Sequence, residues 1–198
     1  MKSYITDFQD EHERQADIII TIDGPSGSGK GTLAEEIAGK LGLKHFSAGD
    51  VFRSIAEDQG ITHVELAEKA DKDVDLEVDR RTLERALKES CVVEGRLPSW
   101  VLGDYSDLKI FLTADEKERA RRIAERENID QKTALTEEVR QRDKKNHERY
   151  ENYYSIDTSN TEIYDVIFDN TELDLDEQEK LLDKLLKEKF DKNSLKKV

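Results

Sequence analysis

Nine consecutive residues near the start of the chain have the composition and spacing to hold a phosphate group. Glycines let successive backbone N–H groups point into one concavity, and a helix that starts at Lys30 adds its own free N–H groups. Lys30 supplies a positive charge for the β- and γ-phosphates, and Thr32 places a hydroxyl near a metal ion. The stretch consists of Gly24, Pro25, Ser26, Gly27, Ser28, Gly29, Lys30, Gly31 and Thr32. The alternative, a connecting turn without a ligand, is disfavoured by the Gly-Lys-Gly-Thr order directly after an apolar run.

Arginines later in the chain have the spacing to bind a second anion. Arg119, Arg122 and Arg126 recur at intervals of three and four residues, so a helix presents them on one face. Arg142 and Arg149 are seven residues apart and share a face of the next predicted helix. Like charges stacked in this way repel by about 0.2–0.5 kcal/mol per pair. A polyanion bound between the two helices would remove that cost.

A solvated, salt-bridged helix face is the competing interpretation of these arginines. Three of them have an acidic residue four positions earlier, and the pairs are Asp115 with Arg119, Glu118 with Arg122, and Glu138 with Arg142. Surface charge runs usually form such pairs. Arg126 and Arg149 have a cation at that position instead, which favours a binding role for those two.

The hydrophobic pattern places the phosphate-binding stretch between a strand and a helix. Apolar, β-branched runs predict five strands, at residues 17–23, 43–47, 91–95, 108–114 and 164–170. Helical spacing predicts helices between them, at residues 33–41, within 50–74, around 76–87, at 115–127, at 131–150 and around 181–186. This alternation predicts an α/β fold with a parallel five-stranded sheet and helices on both faces.

Composition excludes several classes of partner. The net charge of −14, with 39% charged residues, disfavours nucleic acid and membrane surfaces. The lone Cys91 excludes an internal disulfide and is typical of a reducing compartment, and no apolar run is long enough to span a bilayer or to form a signal peptide. We therefore expect a cytoplasmic protein of one domain, and nothing in the sequence requires a second subunit.

The ordered set of segments resembles the nucleoside monophosphate kinases, and among them the archaeal type of cytidylate kinase. The segments are "ITIDGPSGSGKGT", "HFSAGDVFR", "VVEGRLPSW", "LKIFLTA", "RQRDKKNHERY" and "YDVIFDN". The resemblance covers roughly residues 17–170 and implies a P-loop NTPase fold. It implies a single kinase domain at 17–190, with a monophosphate-binding region at 50–74 and a short lid at about 122–135. Residues 1–16 then form a polar extension and residues 191–198 a tail.

The resemblance also implies roles for individual residues. Gly24 to Thr32 would hold the phosphates of ATP, with Arg122 and Arg126 near the adenine and phosphates. The acceptor monophosphate would be bound by Ser47, Asp50, Arg53 and Arg96. Arg142 and Arg149 would close over the transferring phosphoryl group, so that the catalytic set is Lys30, Arg122, Arg142 and Arg149. Thr32 and Glu94 would hold Mg²⁺.

The implied reaction is transfer of the γ-phosphoryl group of ATP to CMP or dCMP. Two departures from the bacterial form leave base recognition open: Leu97 replaces an Asp after the "GR" pair, and Asn146 replaces an acidic residue near the sugar. The preference among CMP, dCMP and UMP is therefore not fixed. Another small kinase of the adenylate or shikimate type, or a nucleotide-binding regulator without turnover, remains an alternative.

Overall fold

Five parallel strands form the centre of the computed structural model, which describes residues 13–62, 65–66 and 72–190. The strands are β1 (Ile19–Asp23), β2 (Lys44–Ser47), β3 (Cys91–Gly95), β4 (Leu108–Thr113) and β5 (Val166–Asp169). Their order across the sheet is β2-β3-β1-β4-β5, and every neighbouring pair is parallel. The predicted α/β fold is confirmed, and each strand end lies within two residues of its predicted position.

Helices connect the strands, as the alternating pattern predicts. They are α1 (Lys30–Leu41), α2 (Ala48–Asp58), α3 (Lys72–Lys88), α4 (Pro98–Leu102), α5 (Glu116–Glu127), α6 (Arg142–Tyr154) and α7 (Leu175–Lys189). Residues 63–64 and 67–71 of the predicted monophosphate-binding region lie outside the described residues, as do residues 1–12 of the extension and the tail at 191–198. Over the part of the chain that is described, no helix has both the length and the hydropathy needed to cross a bilayer.

The two faces of the sheet bury separate apolar clusters. On one face, Ile20 and Ile22 of β1 pack with residues of α1 and α7. On the other, Ile19 of β1 packs with residues of α2, α3 and α6. Each fully buried isoleucine contributes about 1.5–3 kcal/mol to folding. Cys91 belongs to the second cluster, and burial raises the pKa of its thiol to about 12, so this cysteine is a core residue.

The continuous helix predicted at 131–150 is interrupted. The structure has a single turn at Gln131–Thr133, a π-helix at Ala134–Gln141, and only then α6. A π-helix pairs residues five apart, and the two buried residues of this segment, Ala134 and Val139, have that spacing. Both join Ile123 of α5 in a small apolar cluster. The wider turn therefore lets both side chains face α5.

Residues 13–17 are held against the amino-terminal edge of the sheet by one arginine. Arg14 Nη2 lies 2.5 Å from Asp107 Oδ2, and its Nε donates to the carbonyl of Ala16 at 2.6 Å. The same Asp107 oxygen accepts the backbone N–H of Ile19 at 2.7 Å. Asp107 thus joins the incoming chain, β1 and the start of β4.

We predict that Asp107→Ala destabilises the fold. The variant leaves the N–H of Ile19 and the guanidinium of Arg14 without this acceptor, at a cost of about 1–3 kcal/mol. For a chain of this size that lowers the Tm by about 2–4 °C per kcal/mol. A thermal melt measures the shift, with Glu35→Ala on the exposed face of α1 as the control. Equal Tm values for the two variants would contradict the assigned role of Asp107.

Candidate active site

The glycine-rich loop between β1 and α1 is pressed against two neighbouring elements. A Cβ on Gly24 would lie 2.1 Å from the backbone oxygen of Leu112 in β4. Gly27 has φ +78°, and a Cβ there would lie 2.7 Å from the backbone oxygen of Arg119 in α5. These two glycines therefore let β4 and α5 approach the loop closely, in addition to exposing its N–H groups.

A cavity of about 650 Å³ opens over this loop and contains most of the predicted phosphate-binding residues. It is lined by Ser26, Gly27, Gly29, Lys30, Gly31, Thr32, Ser47, Gly49, Arg53, Glu94, Gly95, Arg96, Arg122, Arg126 and Arg142. Thr32 and Glu94 face it together, and burial raises the pKa of the Glu94 carboxyl group. The cavity thus brings residues from the ends of β1, β2 and β3 to one place.

Lys30 is the first residue of α1 and points back over the loop. Its Nζ donates to the carbonyl oxygen of Pro25 at 2.9 Å. Burial lowers the pKa of Lys30 to about 8, and the negative charge of Glu94 partly opposes that shift. A phosphate in the cavity can replace the Pro25 carbonyl as the partner of this ammonium group.

Arg122 contacts both an acidic helix neighbour and the edge of the site. Its Nε donates to Glu118 at 2.8 Å, as the salt-bridge interpretation predicts. Its Nη1 and Nη2 donate to the side-chain and backbone oxygens of Asn170 at 3.0 and 3.1 Å. A smaller cavity of about 410 Å³, on the far side of Thr32, is also lined by Arg122 and Asn170. Arg126 is 63% exposed and pairs with Glu127 at 2.7 Å, so it borders the site from the solvent side.

A cavity of about 560 Å³ adjoins the first and contains the predicted acceptor-binding arginines. It is lined by Ala48, Gly49, Phe52, Arg53, Asp75, Val78, Asp79, Gly95, Arg96, Leu97, Arg142, Asn146, Arg149 and Tyr150. Arg53, Arg96 and Arg142 line both cavities. These three arginines therefore border both spaces.

The two arginines of α6 have different surroundings. Arg142 is half exposed and pairs with Glu138 at 3.1 Å, which is the pair predicted for a solvated helix face. Arg149 lies 5.1 Å from the ring centroid of Tyr150, and its Nε lies 3.3 Å from the carboxylate of Asp75. The sequence pattern misses this acidic partner because Asp75 comes from α3. The pair joins α3 to α6 at the wall of the 560 Å³ cavity.

Ser47 and Asp50 are engaged in starting α2. The Ser47 hydroxyl accepts the N–H of Asp50 at 2.9 Å, and the Asp50 carboxylate accepts the N–H of Ser47 at 2.9 Å, which completes a capping box. Asp50 also pairs with Arg53 at 2.5 Å. Ser47 lines the 650 Å³ cavity over the glycine-rich loop, whereas Asp50 orients Arg53 toward that cavity.

Sequence reasoning missed two carboxylates at the site. Asp23 is fully buried at the end of β1, and burial raises its pKa to about 7. It accepts hydrogen bonds from the hydroxyl groups of Ser99 and Tyr164 at 2.8 and 3.0 Å. Asp143 lies between Arg96 and Arg119. Their partners are 24 to 141 residues away in sequence, so no local pattern identifies them.

Comparison with known proteins identifies the family. The cytidylate kinase model matches residues 20–76, and the cytidylate kinase-like model matches residues 74–172. A cytidylate kinase of Ignicoccus hospitalis is 43% identical over 151 residues, which are 75% of this chain and 87% of the relative. The chain belongs to the cytidylate kinase family. A relative of the same name in Staphylothermus marinus is 37% identical over 86% of this chain and 99% of its own length.

Solved structures support the fold of this cytidylate kinase family member. An uncharacterized protein from Eubacterium ventriosum superposes with a TM-score of 0.66 at 24% identity, over 85% of this chain and 98% of that one. A shikimate kinase from Bacteroides thetaiotaomicron gives a TM-score of 0.55 at 17% identity, over 86% and 96% of the two chains. These likenesses show the P-loop kinase fold alone. The shikimate-type alternative therefore rests on fold similarity alone, whereas the matching family models are those of cytidylate kinases.

We predict that the affinity of the ligand-free protein for ATP falls above about pH 8. The lowered pKa means that the Lys30 charge is present below pH 8 and is lost as the pH rises through that value. ATP binds the charged form, so its Kd should rise by up to about tenfold per pH unit above the pKa. Calorimetric titration between pH 7 and 9.5 measures this dependence.

The control for that experiment is Lys30→Met, which has no ammonium group to titrate. Its Kd for ATP should be larger than that of the wild type at pH 7 and should stay nearly constant up to pH 9.5. A wild-type Kd that stays constant over the same range would contradict the assignment of Lys30 to the phosphates.

Proposed function

We propose that this chain transfers the γ-phosphoryl group of ATP to CMP or dCMP, giving ADP and CDP or dCDP. Family membership supports a phosphotransferase that acts on cytidylate. The arrangement of the two cavities supports the same reaction, because one has a phosphate-binding loop and the other is lined by arginines. A nucleotide-binding regulator needs the cavity over the glycine-rich loop and has no use for the arginine-lined cavity of about 560 Å³.

The shared wall of the two cavities is the observation that carries this proposal. Arg53, Arg96 and Arg142 line both spaces, so a donor phosphate in one and an acceptor phosphate in the other would lie near the same cations. Two anions repel each other, and shared cations offset that repulsion at short distance. In-line phosphoryl transfer needs this close approach and little else from the protein.

The residues act by positioning and by neutralising charge. Lys30 exchanges its contact with the Pro25 carbonyl for the donor phosphates, where its charge stabilises the transferring group. Arg96 and Arg53 orient the acceptor phosphate. Arg142 and Arg149 belong to one helix and supply further charge on the acceptor side. The acceptor phosphate is already nucleophilic, so no general base is required.

Thr32 and Glu94 are the residues that would hold Mg²⁺. Among the residues that the structure describes, no group of three His, Cys, Asp or Glu side chains forms a metal cage. Mg²⁺ keeps several waters and binds mainly through substrate phosphates and one or two protein oxygens. The burial of Glu94 beside the loop supports this assignment. When bound, Mg²⁺ would neutralise phosphate charge.

We also propose that the protein acts as a monomer in the cytoplasm. The predicted donor-binding and acceptor-binding residues of one chain lie together at adjoining cavities, which supports a monomer. The buried, lone Cys91 suits a reducing compartment. Analytical ultracentrifugation of the active protein tests the monomer, and a dimer at working concentration would overturn that part.

The decisive experiment offers several acceptors side by side with ATP. CMP, dCMP, UMP, AMP and shikimate are supplied at equal concentration, and ADP formation is followed. We expect turnover with CMP or dCMP at least about tenfold faster than with the others, and little ATP consumption without an acceptor. Faster turnover with AMP or shikimate would replace the proposed substrate. Equal ATP hydrolysis with and without acceptor would contradict phosphoryl transfer.

We predict that Arg149→Lys reduces kcat at least about tenfold while the Kd of either nucleotide alone changes less. Lysine keeps the charge but loses the planar fork, so it cannot contact a phosphoryl group and stack on Tyr150 as arginine does. Loss of turnover with preserved binding is the signature of an interaction made in the transition state.

The matched control for this variant is Arg140→Lys. Arg140 is 61% exposed and pairs with Glu116 at 2.9 Å, away from both cavities. Exposed pairs contribute about 0–1 kcal/mol, so this variant should match the wild type in kcat and Tm. If Arg149→Lys folds and also matches the wild type, Arg149 is removed from the catalytic set.

A further inference from the structure

Asp143 lies where three elements of the site meet. Its Oδ1 accepts a hydrogen bond from Arg96 Nη1 at 3.1 Å, and its Oδ2 accepts one from Arg119 Nη1 at 2.7 Å. Arg96 follows β3, Arg119 belongs to α5, and Asp143 is the second residue of α6. One carboxylate therefore joins the acceptor side of the site, the helix beside the loop, and the helix that carries Arg142 and Arg149.

Both arginines that bind Asp143 also donate a hydrogen bond to the phosphate-binding loop. Arg96 Nη2 donates to the hydroxyl oxygen of Ser26 at 2.6 Å, and Arg119 Nη1 donates to its backbone oxygen at 3.2 Å. Arg119 is buried, and its Nε also donates to the carbonyl of Ala114 at 3.1 Å. The direction of the Arg96 guanidinium is thus fixed at two points, Asp143 and Ser26.

We propose that Asp143 is a positioning residue for phosphoryl transfer. It holds the Arg96 guanidinium against the loop, and so sets where the acceptor phosphate sits relative to the donor. It also binds Arg119, which contacts the loop through the backbone oxygen of Ser26. The start of α6, with Arg142, is thereby held in a fixed position relative to the loop. This inference rests on the proposed function and adds to it a residue that acts through Arg96 and Arg119.

The energetics separate this role from simple stabilisation. The pair of Asp143 with buried Arg119 contributes to folding, whereas the pair with Arg96 is partly exposed, at 28% and 21%, and solvent screens it. Its geometric effect is larger, because a small misplacement of a reacting group can cost about a hundredfold in rate. The carboxylate also competes with phosphate for Arg96. Its removal should leave the attraction of Arg96 for an anion equal or stronger, while its direction is lost.

The test is Asp143→Asn, with Glu148→Gln as the matched control. Both variants remove one negative charge from α6, but Glu148 is 56% exposed and its carboxylate lies 3.8 Å from Lys144 Nζ. Steady-state kinetics with ATP and CMP give kcat and KM, calorimetry gives the Kd of CMP alone, and a thermal melt reports folding.

For Asp143→Asn we expect kcat to fall at least about tenfold, with the Kd of CMP equal to or tighter than that of the wild type. Glu148→Gln should match the wild type in both. A kcat within threefold of the wild type would overturn the proposal. So would a joint loss of kcat, CMP affinity and Tm, because that pattern describes a structural residue.

Asp143→Glu keeps the inference testable if the asparagine variant does not fold. It retains the charge but moves the carboxylate by one methylene group, so a positioning role predicts a folded protein with reduced kcat. Wild-type kcat in this variant would overturn the proposal. Failure of the proposed function looks different, since the wild type itself would then show no turnover of CMP or dCMP.

Discussion

Electrostatic repulsion among clustered cations is the constraint on which the rest of this structure depends. The chain has a net charge of −14, yet Lys30 and five arginines line one cavity. Each of those arginines lies within salt-bridge distance of a carboxylate, and the pairs are Arg53 with Asp50, Arg96 with Asp143, Arg122 with Glu118, Arg126 with Glu127, and Arg142 with Glu138. These carboxylates offset the repulsion among the cations in the ligand-free protein.

The parallel sheet makes this clustering possible. The carboxyl ends of β1, β2 and β3 lie side by side, so the phosphate-binding loop, Ser47 and Glu94 meet at one edge. Helices α5 and α6 then bring arginines over the same edge from the other side. Gly24 and Gly27 allow the close contact of the loop with β4 and α5 that this arrangement needs.

The parts of the fold that follow from local pattern were predictable, and those that follow from tertiary contact were not. Apolar, β-branched runs identify all five strands, most clearly β1, which is buried along its whole length. The π-helix at Ala134–Gln141 escapes such reasoning, since it depends on the packing of Ala134 and Val139 against α5.

The candidate site shows the same division. Glycine spacing identifies the phosphate-binding loop, and the resemblance to a family supplies Arg53 and Arg96. Only some of the acidic partners of the arginines can be found from the sequence. Glu118 and Glu138 are found from their spacing of four residues, but Asp75 and Asp143 meet arginines of other elements. The salt-bridge interpretation pairs Arg119 with Asp115, whereas in the structure Arg119 pairs with Asp143.

The central claim is that the two cavities hold a donor and an acceptor at the same time, with their phosphates in contact. The most direct measurement is the Kd of a single compound in which adenosine and cytidine are joined through five phosphates, determined by calorimetry beside ATP and CMP. Filling both cavities with one molecule should make its Kd at least about a hundredfold lower than that of either nucleotide. A Kd no lower than that of ATP would contradict the account.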